Sequence, residues 1–291
     1  MARRSVHSLR ALKDRGERFA MITCYDYPSA RLIDQAGIPG VLIGDSLGMV
    51  VLGYDSTVPV TMDEIIHHTK PVVRGTERAF VVADMPFGSY QADEDEAMRN
   101  AVRLLQEGGA TAVKLEGGER VAGIVERLVA AGVPVMGHLG LTPQSVKQFG
   151  GHKVQGKTDS AAAQMLDDAR TLERAGAFAV VLESVPAPLG QEITNELRIP
   201  TVGIGAGVGC DGEIQVWHDV LGLFEDFLPK HARHFAKLAP QIRHGLENYV
   251  HSVQRGEFPG PENSFGAKPD TNRVLSALFE ELGEQLGTPG T

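Results

Sequence analysis

The chain has 291 residues, 42% of them hydrophobic and 22% charged, with a formal net charge of -9. That balance fits a soluble globular protein of one large or two small domains and argues against a nucleic-acid surface, which needs a basic stripe. No run approaches the ~18 apolar residues of a membrane span, and the start, Met1-Ala2-Arg3-Arg4-Ser5, lacks the apolar stretch of a secretory signal. Cys24 and Cys210 fit no metal or redox spacing; Cys24 reads as a small core residue, and a reduced, cytoplasmic setting is expected.

In chain order, residues 5–16 read as a short helix stopped by Gly16, and 19–25 as a strand. Pro28 opens a helix closed by Gly37. The apolar run Val41-Leu42-Ile43-Gly44 reads as a strand buried on both faces, and it ends in Asp45-Ser46. Thr61 starts a helix with Glu64 completing a capping box, and Pro71 is expected to bend or end that helix. The rhythm then repeats. A strand at 79–83 leads to Asp84 and a helix at 93–107; a strand at 111–115 leads to Glu116 and a helix at 119–131. A strand at 134–137 leads to His138 and a long loop, 139–158, before a helix at 160–175. A strand at 178–182 leads to Glu183 and a helix at 189–197, and a strand at 201–204 leads to Gly205-Ala206-Gly207. The apolar run 214–223 is ambiguous, and a helix at 231–255 closes the series.

Strands alternating with helices imply parallel pairing and right-handed crossovers. About eight such units of roughly 30 residues make a (β/α)8 TIM barrel. A doubly wound open sheet is the alternative, but Gly203-Ile204-Gly205-Ala206-Gly207 lacks the third glycine of its fingerprint. Residues 1–265 are read as one barrel domain with an N-terminal helix, and 266–291 as a C-terminal extension. In that extension Val274, Leu275, Leu278, Phe279, Leu282 and Leu286 form a helical apolar stripe. So short a helix needs something to pack on, so it is either docked or disordered.

In a barrel the strand ends form one ring, where ligands bind. Asp45, Asp84, Glu116, His138 and Glu183 all stand at such ends. Lys114 and Glu116 are two apart and share the interior face, while Val113 and Leu115 face the helices. Buried charges there serve a site or form a rim ion pair. Converging carboxylates repel by about 4 kcal/mol per pair at ~4 Å and an effective dielectric of ~20. Protons, Lys114 or a metal must neutralise them; an all-oxygen set selects a hard cation such as Mg2+. His138 leaves room for a transition metal or a substrate-orienting role. His67 and His68 read as surface residues, His152 and Lys153 as pocket gates or solvated groups, and Trp217 and His218 as core and edge.

The chain resembles the ketopantoate hydroxymethyltransferase family over roughly residues 5–265. The motifs that carry the likeness are Gly44-Asp45-Ser46-Leu47-Gly48-Met49, 55–61 (Asp-Ser-Thr-Val-Pro-Val-Thr), 83–87 (Ala-Asp-Met-Pro-Phe), 113–118 (Val-Lys-Leu-Glu-Gly-Gly), 137–145 (Gly-His-Leu-Gly-Leu-Thr-Pro-Gln-Ser), 150–156 (Gly-Gly-His-Lys-Val-Gln-Gly), 182–186 (Leu-Glu-Ser-Val-Pro) and 203–207. The resemblance implies a decameric homo-oligomer of (β/α)8 barrels, with Mg2+ on Asp45, Asp84 and Glu116. It implies keto-acid contacts from Asp45, Ser46, Asp84 and Lys114, with His138 nearby, and Glu183 as proton acceptor. The implied reaction moves a one-carbon unit from 5,10-methylenetetrahydrofolate to 3-methyl-2-oxobutanoate. Two rivals remain open: a metal-free aldolase using Lys114 as a Schiff-base nucleophile, and a keto-acid-binding regulatory barrel.

Overall fold

Eight parallel strands close into a barrel: β1 Phe19–Thr23, β2 Gly40–Ile43, β3 Phe80–Asp84, β4 Ala112–Glu116, β5 Val135–Gly140, β6 Ala179–Glu183, β7 Thr201–Ile204 and β8 Gly212–Gln215. This computed structural model describes residues 3–151, 153–266 and 269–286. The helices before β8 are α1 Val6–Asp14, α2 Tyr27–Gln35, α3 Leu47–Val50, α4 Met62–Gly75, α5 Glu94–Gln106, α6 Ala122–Ala130, α7 Val146–Phe149, α8 Asp159–Arg174 and α9 Ala187–Glu196; α10 Trp217–Leu221 follows it.

Side-chain alternation sorts the strands into two shells. Val41, Ile43, Val81, Ala83, Val113, Leu115, Val180 and Leu182 face outward and pack in the core formed with the helices. Phe19, Met21, Leu42, Phe80, Val82, Met136, Val181 and Ile214 face inward and fill the barrel. Leu9 and Leu12 of α1 join this inner cluster. The N-terminal helix therefore covers the end where the strands begin, leaving the carboxyl end for chemistry. Its two leucines lie one turn apart, three residues along the helix, which puts them on one face.

Local signals act as the sequence suggests in several places. Thr61 and Glu64 form their capping box at the start of α4, and α2, opened by Pro28 near its start, is further capped by Asp26, which accepts from Ser29 N–H at 2.8 Å. Pro71, expected to bend or end α4, does not end it: the helix runs on to Gly75. Proline removes one N–H from the ladder, but Ile65, Ile66 and Val72 remain buried and hold the helix to the core. The loop at 139–158 is also more structured than expected, with β5 extending to Gly140, a 3-10 turn at Pro143–Ser145 and then α7. Main-chain pairing of Gly140 with Glu183 on β6 carries β5 past His138. The ambiguous run at 214–223 resolves into the end of β8 and the short α10.

The chain divides into two compact units, Met1–Lys237 and Leu238–Thr291. The helix expected at 231–255 begins later, as α11 Leu238–Gln254, and belongs to the second unit. That unit also holds α12, Pro269–Leu286, on which Val274, Leu275, Leu278, Phe279 and Leu282 are exposed. Among the described residues no helix is long and apolar enough to cross a membrane.

Candidate active site

The inward-facing row of each strand changes character from one end to the other. On β3 it runs Phe80, Val82, Asp84; on β4 Ala112, Lys114, Glu116; on β5 Met136, His138; on β6 Ala179, Val181, Glu183. Strand register then sets neighbours side by side, with Asp84 beside Lys114 and Glu116 beside His138. Asp45 and Ser46 follow β2 directly. All seven line one cavity of about 620 Å³. Asp45, Asp84, Lys114, Glu116 and His138 are each no more than 4% exposed. Glu183 is half-open, with 17% of its side chain accessible.

Gly44 is required by a close approach: a Cβ there would stand 2.9 Å from Ser46 Oγ and 3.5 Å from Asp84 Oδ2. Its absence of side chain lets Asp45 N–H donate to Asp84 Oδ2 at 2.9 Å. Asp45 Oδ2 accepts from Gln144 Nε2 at 3.0 Å, and Glu116 Oε2 accepts from Gln144 N–H at 3.1 Å. Each of the three carboxylates thus has one oxygen pinned by an N–H. Of the opposite oxygens, Asp84 Oδ1 and Glu116 Oε1 are buried without an aligned hydrogen bond. Asp84 Oδ1 instead stands 2.7 Å from Lys114 Nζ, and Glu116 Oε1 stands 3.3 Å from His138 Nδ1. The other ring nitrogen, His138 Nε2, lies 3.3 Å from Glu183 Oε2. On the Ser46 side, the Tyr25 and Ser46 hydroxyls are 2.8 Å apart.

The electrostatics follow from burial and crowding. Asp45 is held well above the usual carboxylate range by burial first, then by the charges of Asp84 and Glu116. Burial also raises Asp84, against the opposing pull of Lys114. For Lys114, burial favours the neutral amine, but the charges of Asp84, Glu116 and Asp45 outweigh it and keep the ammonium. His138 shows the same contest. Burial and the Lys114 charge lower its pKa, yet Glu116 and Glu183 bring it up to about 9. The cationic imidazole pairs by charge with Glu116 through Nδ1 and with Glu183 through Nε2, each at 3.3 Å and with no aligned hydrogen bond from Nε2. The 3.3 Å approach of Lys114 Nζ to Nδ1 is then a proximity of two cations rather than a hydrogen bond.

The pinned carboxylates fit a hard divalent ion by donor chemistry: all are oxygens, buried, and balanced by too little positive charge. Among the described residues, no group of three His, Cys, Asp or Glu side chains stands ready to hold a metal as placed. The ammonium of Lys114, at 2.7 Å, takes up one of the carboxylate oxygens instead.

Three contributors were not among the expected site residues, although Gln144 lies within the 137–145 motif. Gln144 is 4% exposed and sits in the 3-10 turn that was expected to be plain loop. Tyr90, 1% exposed, donates to Gln144 Oε1 at 2.8 Å and accepts from Glu116 N–H at 3.0 Å. The segment after α10 adds Phe224, Phe227, Lys230 and His231 to the cavity wall. Of the secondary candidates, His67 is exposed while His68 is half-buried, its Nδ1 2.7 Å from the Tyr25 carbonyl. Lys153 is exposed, and His152 lies outside the described residues. Trp217 packs against the core, and His218 stacks on Tyr25 with ring centroids 5.7 Å apart. Cys24 is fully buried, as a core residue should be, and burial pushes its thiol up to about 12.

Comparison with known proteins agrees with this architecture. The profile described as Ketopantoate hydroxymethyltransferase matches residues 3–261. The chain is 55% identical over 276 residues to the 3-methyl-2-oxobutanoate hydroxymethyltransferase of Chloroflexus aggregans, covering 95% of this chain and 98% of that one. It is 56% identical over 279 residues to the enzyme of the same name from Carboxydothermus hydrogenoformans, covering 96% and 100%. Among solved structures, the phosphoenolpyruvate phosphomutase of Streptomyces platensis subsp. rosaceus superposes with a TM-score of 0.59 at 16% identity, over 97% of this chain and 99% of that one. That last likeness concerns the barrel alone. With the family profile spanning the whole barrel and close relatives aligned nearly end to end, the chain belongs to the ketopantoate hydroxymethyltransferase family.

Proposed function

We propose that the protein is a 3-methyl-2-oxobutanoate hydroxymethyltransferase acting in the pantothenate pathway, with 5,10-methylenetetrahydrofolate as one-carbon donor. The observation that carries this reading is the run of inward rows on β3 to β6, each ending in charged groups around one cavity, in a chain of this family.

The keto acid is an anion, and Lys114 and cationic His138 are the positive groups that receive it. Lys114 acts as a point charge toward the carboxylate, and the Ser46 hydroxyl, held by Tyr25, is placed to hydrogen-bond it. Glu183 is the general base: its carboxylate is partly open to the cavity and oriented by His138. It removes the proton from the carbon next to the keto group. That carbon then forms the new bond to the one-carbon unit, and the overall reaction consumes one water to leave a hydroxymethyl group and tetrahydrofolate. Asp45, Asp84 and Glu116 would hold a divalent ion such as Mg2+, which supplies Lewis-acid polarisation of the keto carbonyl. Lys114, kept as an ammonium by three carboxylates, is a poor Schiff-base nucleophile.

The test is exchange of the substrate C–H proton with deuterated solvent, in the presence of Mg2+ and without folate. The wild type exchanges and Glu183→Gln binds the keto acid without exchange. Undiminished exchange in that variant removes Glu183 from the role, and a covalent adduct at Lys114 on borohydride treatment favours the aldolase rival. We further propose a homo-oligomer of decameric size, for which sedimentation velocity is the measurement.

A further inference from the structure

We infer that Gln144 is a positioning residue for the carboxylate set, aiming Asp45 and Glu116 at the cavity so that their free oxygens can converge on one cation. This inference rests on the proposed reading of Asp45, Asp84 and Glu116 as metal ligands.

Three N–H groups pin the three carboxylates, and Gln144 provides two of them, one from its side chain and one from its backbone. A carboxylate free to rotate about its last torsion presents either oxygen. With Asp45 Oδ2 and Glu116 Oε2 engaged by Gln144, the partner oxygens face the ligand side, Glu116 Oε1 sharing it with His138 Nδ1 at 3.3 Å. The Gln144 amide is itself fixed. Its Oε1 accepts from Tyr90 OH at 2.8 Å and Gln91 Nε2 at 3.0 Å, and its Nε2 also donates to Met85 O at 3.0 Å. Those acceptances identify the amide orientation, with nitrogen toward Asp45. Its nearest substitutes fail the pattern: Glu offers no donor when ionised, Leu offers neither group, and Asn is one methylene too short. Donation to Asp45 also favours its charged form in a site where burial and two neighbouring charges disfavour it.

The experiment is titration of the metal-free full-length protein with Mn2+, reading free Mn2+ by its paramagnetic resonance, alongside thermal unfolding. Three proteins are compared: wild type, Gln144→Leu and Tyr90→Phe. In Gln144→Leu the backbone pin on Glu116 survives and only Asp45 is released. Mn2+ affinity is expected to fall about 10–100-fold, the usual effect of removing a group that orients a metal ligand. Tyr90→Phe removes the donor that fixes the amide but keeps the ring, so a smaller loss in the same direction is expected even if the leucine variant folds poorly. Wild-type Mn2+ affinity in both variants, with lowered melting temperatures, would reduce Gln144 to a packing residue and overturn the inference. A wild type that binds no Mn2+ would sink the metal reading itself, and this inference with it.

Discussion

Replacing Lys114 by Met keeps the length of the side chain and removes its charge. In the native site the ammonium stands 2.7 Å from Asp84 Oδ1, a Coulomb attraction of about 6 kcal/mol at an effective dielectric of ~20. Without it, Asp84 is a buried carboxylate beside Asp45 and Glu116 with no cation against it. The variant escapes by protonating Asp84. Holding a proton there costs about 1.4 kcal/mol for each pH unit above the free carboxylate value near 3.9, hence about 1–2 kcal/mol at pH 5 and 5–6 at pH 8. Removing one partner of a buried pair typically costs ~3–5 kcal/mol, so relaxation trims the upper figure. At roughly 2–4 °C per kcal/mol for a unit of this size, the metal-free variant should melt about 6–20 °C below wild type at pH 8. At pH 5 the deficit should shrink to a few degrees. Differential scanning calorimetry in EDTA at the two pH values is the assay. A deficit under ~2 °C at pH 8, or one that does not shrink at pH 5, refutes the picture of Lys114 as the balancing charge. If Lys114 receives the keto acid as proposed, the same variant should lose roughly 10–150-fold in kcat/KM, the worth of one charge-assisted hydrogen bond.

Other outcomes follow from the same geometry. His138 is raised in the folded protein to about 9, from an ordinary value of 6.5. Its contribution to stability is therefore full below about 6.5 and is lost as pH rises through about 9, a swing of up to roughly 3 kcal/mol. Urea melts of metal-free wild type and His138→Gln should converge between pH 6.5 and 9.5, and parallel curves would contradict the raised value. Gly140 has φ +92°, and a Cβ there would stand 2.2 Å from the Glu183 carbonyl oxygen. Gly140→Ala should depress both melting temperature and kcat by moving the strand that carries Glu183, the proposed base; an unchanged kcat would show that Glu183 tolerates the shift. Leu9→Ala empties a fully buried position in the inner cluster and should cost about 2–5 kcal/mol of stability while leaving KM for the keto acid unchanged. A raised KM would show that the two ends of the barrel communicate.

Much of this site was legible in the chain because a strand has a period of two and a barrel has one open end. Those two facts place Lys114 and Glu116 on one face, and Asp45, Asp84, His138 and Glu183 around one mouth. The strand–helix rhythm and the capping box at Thr61 and Glu64 are local signals, each carried by residues a few positions apart. What only the tertiary structure decided are the contacts between residues remote in sequence. Gln144 meets Asp45 across 99 positions and Tyr90 across 54, and no periodicity or spacing encodes such meetings. Long-range packing also overrode two local expectations, carrying α4 through Pro71 and β5 beyond His138. The charge state of the ring is of the same kind: His138 is cationic because the fold sets it between Glu116 and Glu183, against the opposing effects of burial and of Lys114. The sequence determines which groups are available and which way each strand faces. The fold alone determines how close they come, and in a buried site that distance sets both pKa and chemistry.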